Sequence, residues 1–171
     1  MSIVEDRLAI NDLFVRYTTA LDAGDVETIV GCFTEDGLLE SPTVGTYAGR
    51  AAIGEFARRF ARFREGGAQL RHVISNLVVT LDGDRAKASC YLLIVITRDG
   101  QSRLLAPGRN ECDLARIGGQ WLAVPAPPRH PRPRSGARRG LICDGSDFGR
   151  LARAADVLYL TALLVPILTT T

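Results

Sequence analysis

Three short turn signals divide residues 69–124 into four extended runs, and this spacing limits the possible folds more than any other feature. Asp82-Gly83-Asp84, Arg98-Asp99-Gly100 and Gly118-Gly119 set turn-forming residues between segments rich in Val, Ile, Leu and Tyr. Gln69 to Leu81, Arg85 to Thr97 and residues 101–116 are predicted as long strands, and Trp121 begins a fourth. Connections this short join antiparallel neighbours, so the four runs are expected to form a meander. Within the third run, Pro107-Gly108 suggests a bulge or bend, because proline removes a ladder donor and glycine offers no side chain to pack.

The residues before the meander have helical periodicity. Leu8, Ile10, Leu13, Phe14, Tyr17 and Leu21 recur at three- and four-residue steps and predict a helix over 5–21. Asp22-Ala23-Gly24-Asp25 breaks it. Asp25 then reads as the N-cap of a second helix with Glu27 in its first turn, and Val26, Ile29, Val30 and Phe33 form its buried side. Glu35-Asp36-Gly37 turns the chain into a short extended stretch, Leu38 to Ser41. Pro42 to Gly45 turns it again, before Thr46-Tyr47. A third helix is predicted from Arg50 to Arg64, with Ile53, Phe56, Ala57, Phe60 and Phe63 as its apolar face. Its arginines Arg58, Arg59, Arg62 and Arg64 read as a solvated face rather than a phosphate site. Helices gathered early and strands gathered late indicate α+β, a curved antiparallel sheet wrapped over N-terminal helices with a pocket between the layers.

Composition narrows the partners. At 171 residues, 46% hydrophobic and 23% charged, the chain is globular and long enough to bury a core. Residues 1–121 carry 14 basic and 16 acidic side chains, and residues 122–171 carry 7 and 3, so the front of the chain has no basic face for nucleic acid. After Val124 the sequence becomes Pro- and Arg-rich. This divides it into a domain over 1–124 and an atypical extension over 125–171, with a further helix expected from Arg150 to Leu164. The apolar run Val157 to Leu168 is 12 residues, short of the roughly 18–20 that span a membrane, so no membrane partner is expected. Met1 to Arg7 has acids where a signal peptide needs positive charge, which points to a cytoplasmic location. Cys32, Cys90, Cys112 and Cys143 have no metal-ligand spacing and are expected reduced, three of them packed as small hydrophobes. Neither a phosphate-binding glycine loop nor a nucleophile elbow occurs, and no metal or cofactor is expected.

An ordered set of motifs carries a family resemblance over about residues 3–122. Leu13-Phe14-Val15-Arg16-Tyr17, Leu21-Asp22-Ala23-Gly24-Asp25 and Cys32-Phe33-Thr34-Glu35-Asp36-Gly37 resemble the opening of the SnoaL-like family, part of the nuclear-transport-factor-2-like superfamily. Gly45 to Ile53 is similar to its strand-to-helix junction, Arg71-His72-Val73-Ile74-Ser75-Asn76 to its histidine-bearing strand, and Gly118-Gly119-Gln120-Trp121 to its last hairpin. The resemblance implies a cone-shaped half-barrel. It also implies a pairing, since scytalone dehydratase and hexachlorocyclohexane dehydrochlorinase carry an aspartate after the first helix and a histidine on the first long strand. Asp22 and His72 match those positions. In those relatives the pair removes a proton from carbon while a leaving group departs. The second histidine that the dehydratase carries on its next long strand has no counterpart in Ala88-Ser89-Cys90-Tyr91-Leu92.

The residues support such chemistry on their own terms. Histidine suits general-base work near neutral pH, and a carboxylate beside it fixes its tautomer and stabilises the imidazolium. His72 also reads as a core histidine, and Asp22 as a helix terminator or cap, although Asp25 is better placed to cap. His130, in the extension, is given no role. Tyr17, Glu40, Arg109 and Asn110 are the further pocket candidates, as donors or anion holders for a small apolar or aromatic molecule. The expected activity is a cofactor-independent dehydration, elimination or isomerisation. The alternatives are a non-catalytic ligand-binding module and a subunit-type structural protein of the same fold. Cys90, Leu92, Ile94 and Ile96 fall on one side of the second long strand, and Tyr91, Leu93 and Val95 on the other. A strand apolar on both sides needs cover on both, so a homo-oligomer, dimer or trimer, is expected.

Overall fold

The computed structural model describes residues 2–41 and 44–126. The extension beyond Ala126 with its expected helix over Arg150 to Leu164, Cys143, His130, Pro42-Thr43 of the expected turn and the side chain of Phe63 lie outside the described residues.

Helix α1 runs Ile3–Ala23. Ser2 begins it with a reciprocal cap: its Oγ accepts from the Glu5 N–H at 3.2 Å and its own N–H donates to the Glu5 carboxylate at 2.6 Å. Gly24 ends it at φ 71, a left-handed conformation that glycine adopts without strain. Ile10, Leu13, Phe14 and Leu21 form the buried stripe. Leu8 is exposed, because it lies about half a turn away from that stripe. Helix α2 spans Val26–Gly31 behind Asp25, whose carboxylate accepts from the Thr28 N–H at 3.0 Å and the Thr28 hydroxyl at 2.7 Å. Asp25 therefore takes the capping role and leaves Asp22 free of it. Strands β1 (Leu38–Ser41) and β2 (Gly45–Ala48) pair antiparallel, and α3 follows over Gly49–Glu65.

The meander is a four-stranded antiparallel sheet, β3 (Gln69–Asp82), β4 (Arg85–Arg98), β5 (Gln101–Ile117) and β6 (Gln120–Val124), adjacent in that order. One face packs on the helices. Leu70, Ala86, Ala88, Cys90, Ile96, Leu114 and Trp121 are buried there with Ile10, Leu13, Ile29, Ile53 and Phe56 from the helices. The loop after α2 docks on β6, where the Thr34 N–H donates to the Ala123 carbonyl and the Ala123 N–H to the Cys32 carbonyl, both at 2.9 Å. On the other face Val73, Val78, Tyr91, Leu93 and Leu104 are exposed.

Two register shifts set which side chains face the helices. In β3 the shift lies between Ser75 and Val78, and Asn76 takes a left-handed φ of 55. It moves the inward phase from Leu70, His72 and Ile74 to Leu77, Val79 and Leu81. In β5 the shift falls at Leu105, between the pairs Ile94–Ala106 and Val95–Leu104. Pro107 and Gly108 are therefore not the bulge expected from the sequence; they pair in register with Leu93 and Leu92. Proline is tolerated there because β6 pairs only with Asp113–Ile117, so among the described residues the earlier part of β5 is a free edge. No described helix is long and apolar enough to cross a membrane.

Candidate functional site

The helical periodicity that buries Leu21 carries Asp22 into the last turn of α1, which ends two residues later than the sequence suggested. A carboxylate there is opposed by the helix dipole, and the last turn holds no basic residue of its own. Arg64, from α3, donates instead to the Ala23 carbonyl at that helix end. Helix stability thus gives no reason for an acid at this position.

Its partner supplies one. On β3, upstream of the bulge, His72 points to the helices, and its Nδ1 lies 2.7 Å from Asp22 Oδ1. The His72 main-chain N–H also donates to both carboxylate oxygens, at 3.1 Å each. One residue therefore grips the carboxylate with two donors and fixes its plane relative to the ring. This geometry assigns the ring proton to Nδ1, where the carboxylate accepts it, and leaves the lone pair on Nε2. No described residue hydrogen-bonds to Nε2. The Phe60 ring packs on the imidazole with centroids 5.7 Å apart. The His72 side chain is 5% exposed and that of Asp22 19%. Phe60 carried no sequence signal as a site residue, since its place on the apolar stripe of α3 accounts for it equally well.

The other predicted residues gather around a cavity of about 170 Å³ between the middle of α1, β1 and the β5–β6 end of the sheet. Tyr17, Phe33, Leu39, Glu40, Asn110 and Cys112 are among its lining. Tyr17 packs edge-on to Phe33 at 5.6 Å, and its hydroxyl bonds no described residue. Burial, reinforced by the nearby Cys112 and Cys32 thiols, raises the Tyr17 hydroxyl far above the ordinary phenol range, so it stays a donor. Burial likewise pushes the Cys112 thiol up to about 12 and raises Cys32 and Cys90, which keeps all three protonated and poorly nucleophilic. Asn110 pairs with Cys90 on the helix-facing side. Glu40 is exposed on β1 at the rim. Arg109 borders the cavity, but its guanidinium serves the opposite face of the sheet, 3.3 Å from both Ser89 Oγ and a Glu111 carboxylate oxygen. An arginine turned this way is badly placed to hold an anion inside.

His72 and Asp22 are not in the lining of this cavity. His72 pairs with Ile94 and Asn110 with Cys90, so the two rows stand four residues apart along β4, or about 14 Å. A larger open groove of about 1150 Å³ runs past the Lys87 and Asp113 side of the sheet. Several of its charges are already paired, Lys87 with Asp113, Arg116 with Asp84 and Arg50 with Glu35, and it holds neither histidine nor tyrosine. Among the described residues no three His, Cys, Asp or Glu side chains cluster as metal ligands.

The family model described as a SnoaL-like domain matches residues 2–124. No curated protein matches the chain. A variant of Rv3472, a function-unknown protein from Mycobacterium tuberculosis, is similar in structure at 28% identity and a TM-score of 0.71, covering 93% of this chain and 91% of that one. An NTF2-like protein with a cystatin-like fold from Novosphingobium aromaticivorans matches at 28% identity and a TM-score of 0.65, over 71% of this chain and 79% of its own. A Catenulispora acidiphila protein in complex with S-DNPA matches at 25% identity and 0.61, over 71% and 90%.

Proposed function

The chain belongs to the SnoaL-like domain family, and on that premise we propose that it is a cofactor-independent lyase or isomerase acting on a small apolar or aromatic molecule. The superfamily includes isomerases and dehydratases. The observation that carries the reading is the double grip of His72 on the Asp22 carboxylate, which leaves a single unpartnered ring nitrogen.

In this reading Nε2 takes a proton from a carbon next to an electron-withdrawing group. The C–H electron pair becomes a C=C bond. In an elimination it expels a neighbouring hydroxide or halide, and in an isomerisation a second carbon receives the proton back. The Asp22 carboxylate stabilises the imidazolium formed in between, and a positioned base of this kind contributes about 10²–10⁴-fold. Tyr17 and Asn110 line the separate cavity about 14 Å along the sheet and take no part in that step. The test is proton exchange: a panel of small cyclic ketones and β-substituted aromatics is incubated with the protein in D₂O, and deuterium uptake is followed by mass spectrometry. Uptake lost in both His72→Gln and Asp22→Asn supports the reading. Uptake unchanged in both variants rejects it.

One observation favours a second reading, a binding module without turnover: the cavity around Tyr17 does not include His72 or Asp22. Ligand binding by the wild type with no exchange of any panel member would select it. Self-association is the expected state in either reading, because Val73, Val78, Tyr91, Leu93 and Leu104 leave an apolar outer face on the sheet. Light scattering checks this, with Leu93→Lys expected to shift an oligomer towards monomer.

A further inference from the structure

The hydrogen bonds at the candidate site hold the main chain of His72 more firmly than its ring. Two of the three contacts with the Asp22 carboxylate come from the His72 main-chain N–H, and they survive any rotation of the side chain. The imidazole itself is held by one bond, from Nδ1 to Oδ1 at 2.7 Å. The Cβ–Cγ torsion of a histidine is broad, so staggering alone does not fix the ring plane. A swing about it takes the Nδ1–H out of line with the carboxylate, and a hydrogen bond weakens steeply as it bends.

A ring from α3 opposes that swing. The Phe60 centroid lies 5.7 Å from that of His72, with the two planes tilted by 49°. Phe60 is itself held in place. Phe56, one turn earlier on the same face of α3, packs on it at 5.6 Å, and Tyr47 of β2 packs on Phe56 at 5.2 Å. Hydrogen bonds tie down the far end of this column: the Tyr47 hydroxyl donates to the Val44 carbonyl at 2.8 Å and accepts from Arg59. Phe56 and Phe60 are both buried, and a close-packed core gives neither ring room to retreat.

We propose that Phe60 is a positioning residue: it fixes the plane of the His72 imidazole, so that the Nδ1–H stays aimed at Asp22 and Nε2 keeps its lone pair in one direction. Phe60 acts through His72. A ring free to swing shares its proton between the two nitrogens, because only the orientation in line with the carboxylate favours protonation at Nδ1. The apolar stripe of α3 thus has a second task beyond filling the core. This deepens the reading above, on which it rests for the use of Nε2 as a base; the orientation of the ring does not depend on that use.

The test is nitrogen NMR of the neutral His72 imidazole, whose couplings to the carbon-bound ring protons report which nitrogen carries the proton. The His72 signals are identified by their absence in His72→Gln. The wild type is expected to show the Nδ1–H tautomer alone. Phe60→Leu keeps an apolar side chain without a ring, and is expected to bring the two nitrogen shifts towards each other as both tautomers populate. Phe60→Met answers the same question if Phe60→Leu does not fold. Phe56→Leu controls for a merely structural role. It opens the same core one turn away, where the ring packs on Phe60 rather than on His72, and is expected to lower Tm with the nitrogen shifts in place. Two tautomers in the wild type overturn the proposal. So does a single tautomer in the folded ringless variant, or equal mixing in that variant and Phe56→Leu. Because no substrate is needed, the orientation of the ring stands or falls separately from the exchange test of catalysis.

Discussion

The two ends of α1 each turn an aspartate to the sheet, and they use it in opposite ways. Asp6 lies in the first turn, where the helix dipole favours an acid, and is 6% exposed. Its Oδ1 accepts from Arg116 Nη1 at 2.8 Å and from the Trp121 indole N–H at 3.0 Å. Arg116 also reaches Asp84, and its guanidinium sits over the Trp121 ring at 5.5 Å. That cluster is closed, because its donors end on carboxylates of the same protein. Sixteen residues later, Asp22 lies in the last turn, where the dipole disfavours it, and its cluster stays open at Nε2 of His72. At both ends the carboxylate accepts hydrogen bonds from residues of the sheet. The unspent nitrogen is what separates a site from a fastening.

Four measurements test that contrast. The largest expected effect is on chemistry at the open end: His72→Gln should lower deuterium exchange about 10²–10⁴-fold with little change in Tm. A large loss of stability there would make His72 a core residue instead. At the closed end the sign of the experiment reverses. Asp6→Ala leaves the buried indole N–H without its acceptor while Arg116 keeps Asp84, and should cost about 1–3 kcal/mol in denaturant unfolding, with exchange intact in the folded fraction. Trp121→Phe removes one hydrogen bond from the same cluster and keeps most of the packing, so about 1 kcal/mol is expected. The smallest effect belongs to a third aspartate. The Thr28 hydroxyl and amide hold exposed Asp25 below the ordinary aspartate range. A depressed folded value contributes stability above the unfolded pKa, and that stability is lost as pH falls through the folded one. Thr28→Val should reduce this contribution, so the variant and wild type should converge in acid and differ slightly near neutral pH.

How much was readable in advance differs between the ends of the molecule in a similar way. Element positions were legible because they follow from local periodicity and turn chemistry. The predicted helix over 5–21 extends over Ile3–Ala23, the third helix over Gly49–Glu65, and all three hairpin turns fall where their glycines stand. The inward and outward sets of β4 were legible because a half-buried strand alternates with period two. Phase across an irregular strand was not. Asn76 gives no sequence warning of the left-handed step that shifts β3, and the β5 shift falls at an ordinary leucine rather than at Pro107-Gly108. The orientation of Arg109 depends on that phase, so its turn to the outer face was hidden too. Asp22 and His72 were nominated by resemblance and residue type. Their distance, the second donor from the His72 main chain and the separation from the Tyr17 cavity depend on how α1 lies across the sheet, which no local pattern encodes.

That crossing also limits how this helix can change over evolutionary time. Asp6 and Asp22 are pinned to opposite ends of one sheet, so the stretch between them acts as a ruler about 24 Å long. Substitutions on its solvent side leave the ruler intact. One inserted or deleted residue does not, because it rotates everything downstream by about 100° and advances it about 1.5 Å. Either the fastening or the open pair would then lose its partner. Among descendants of this chain, the solvent-facing residues between 6 and 22 are therefore free to drift while the length of the stretch is held.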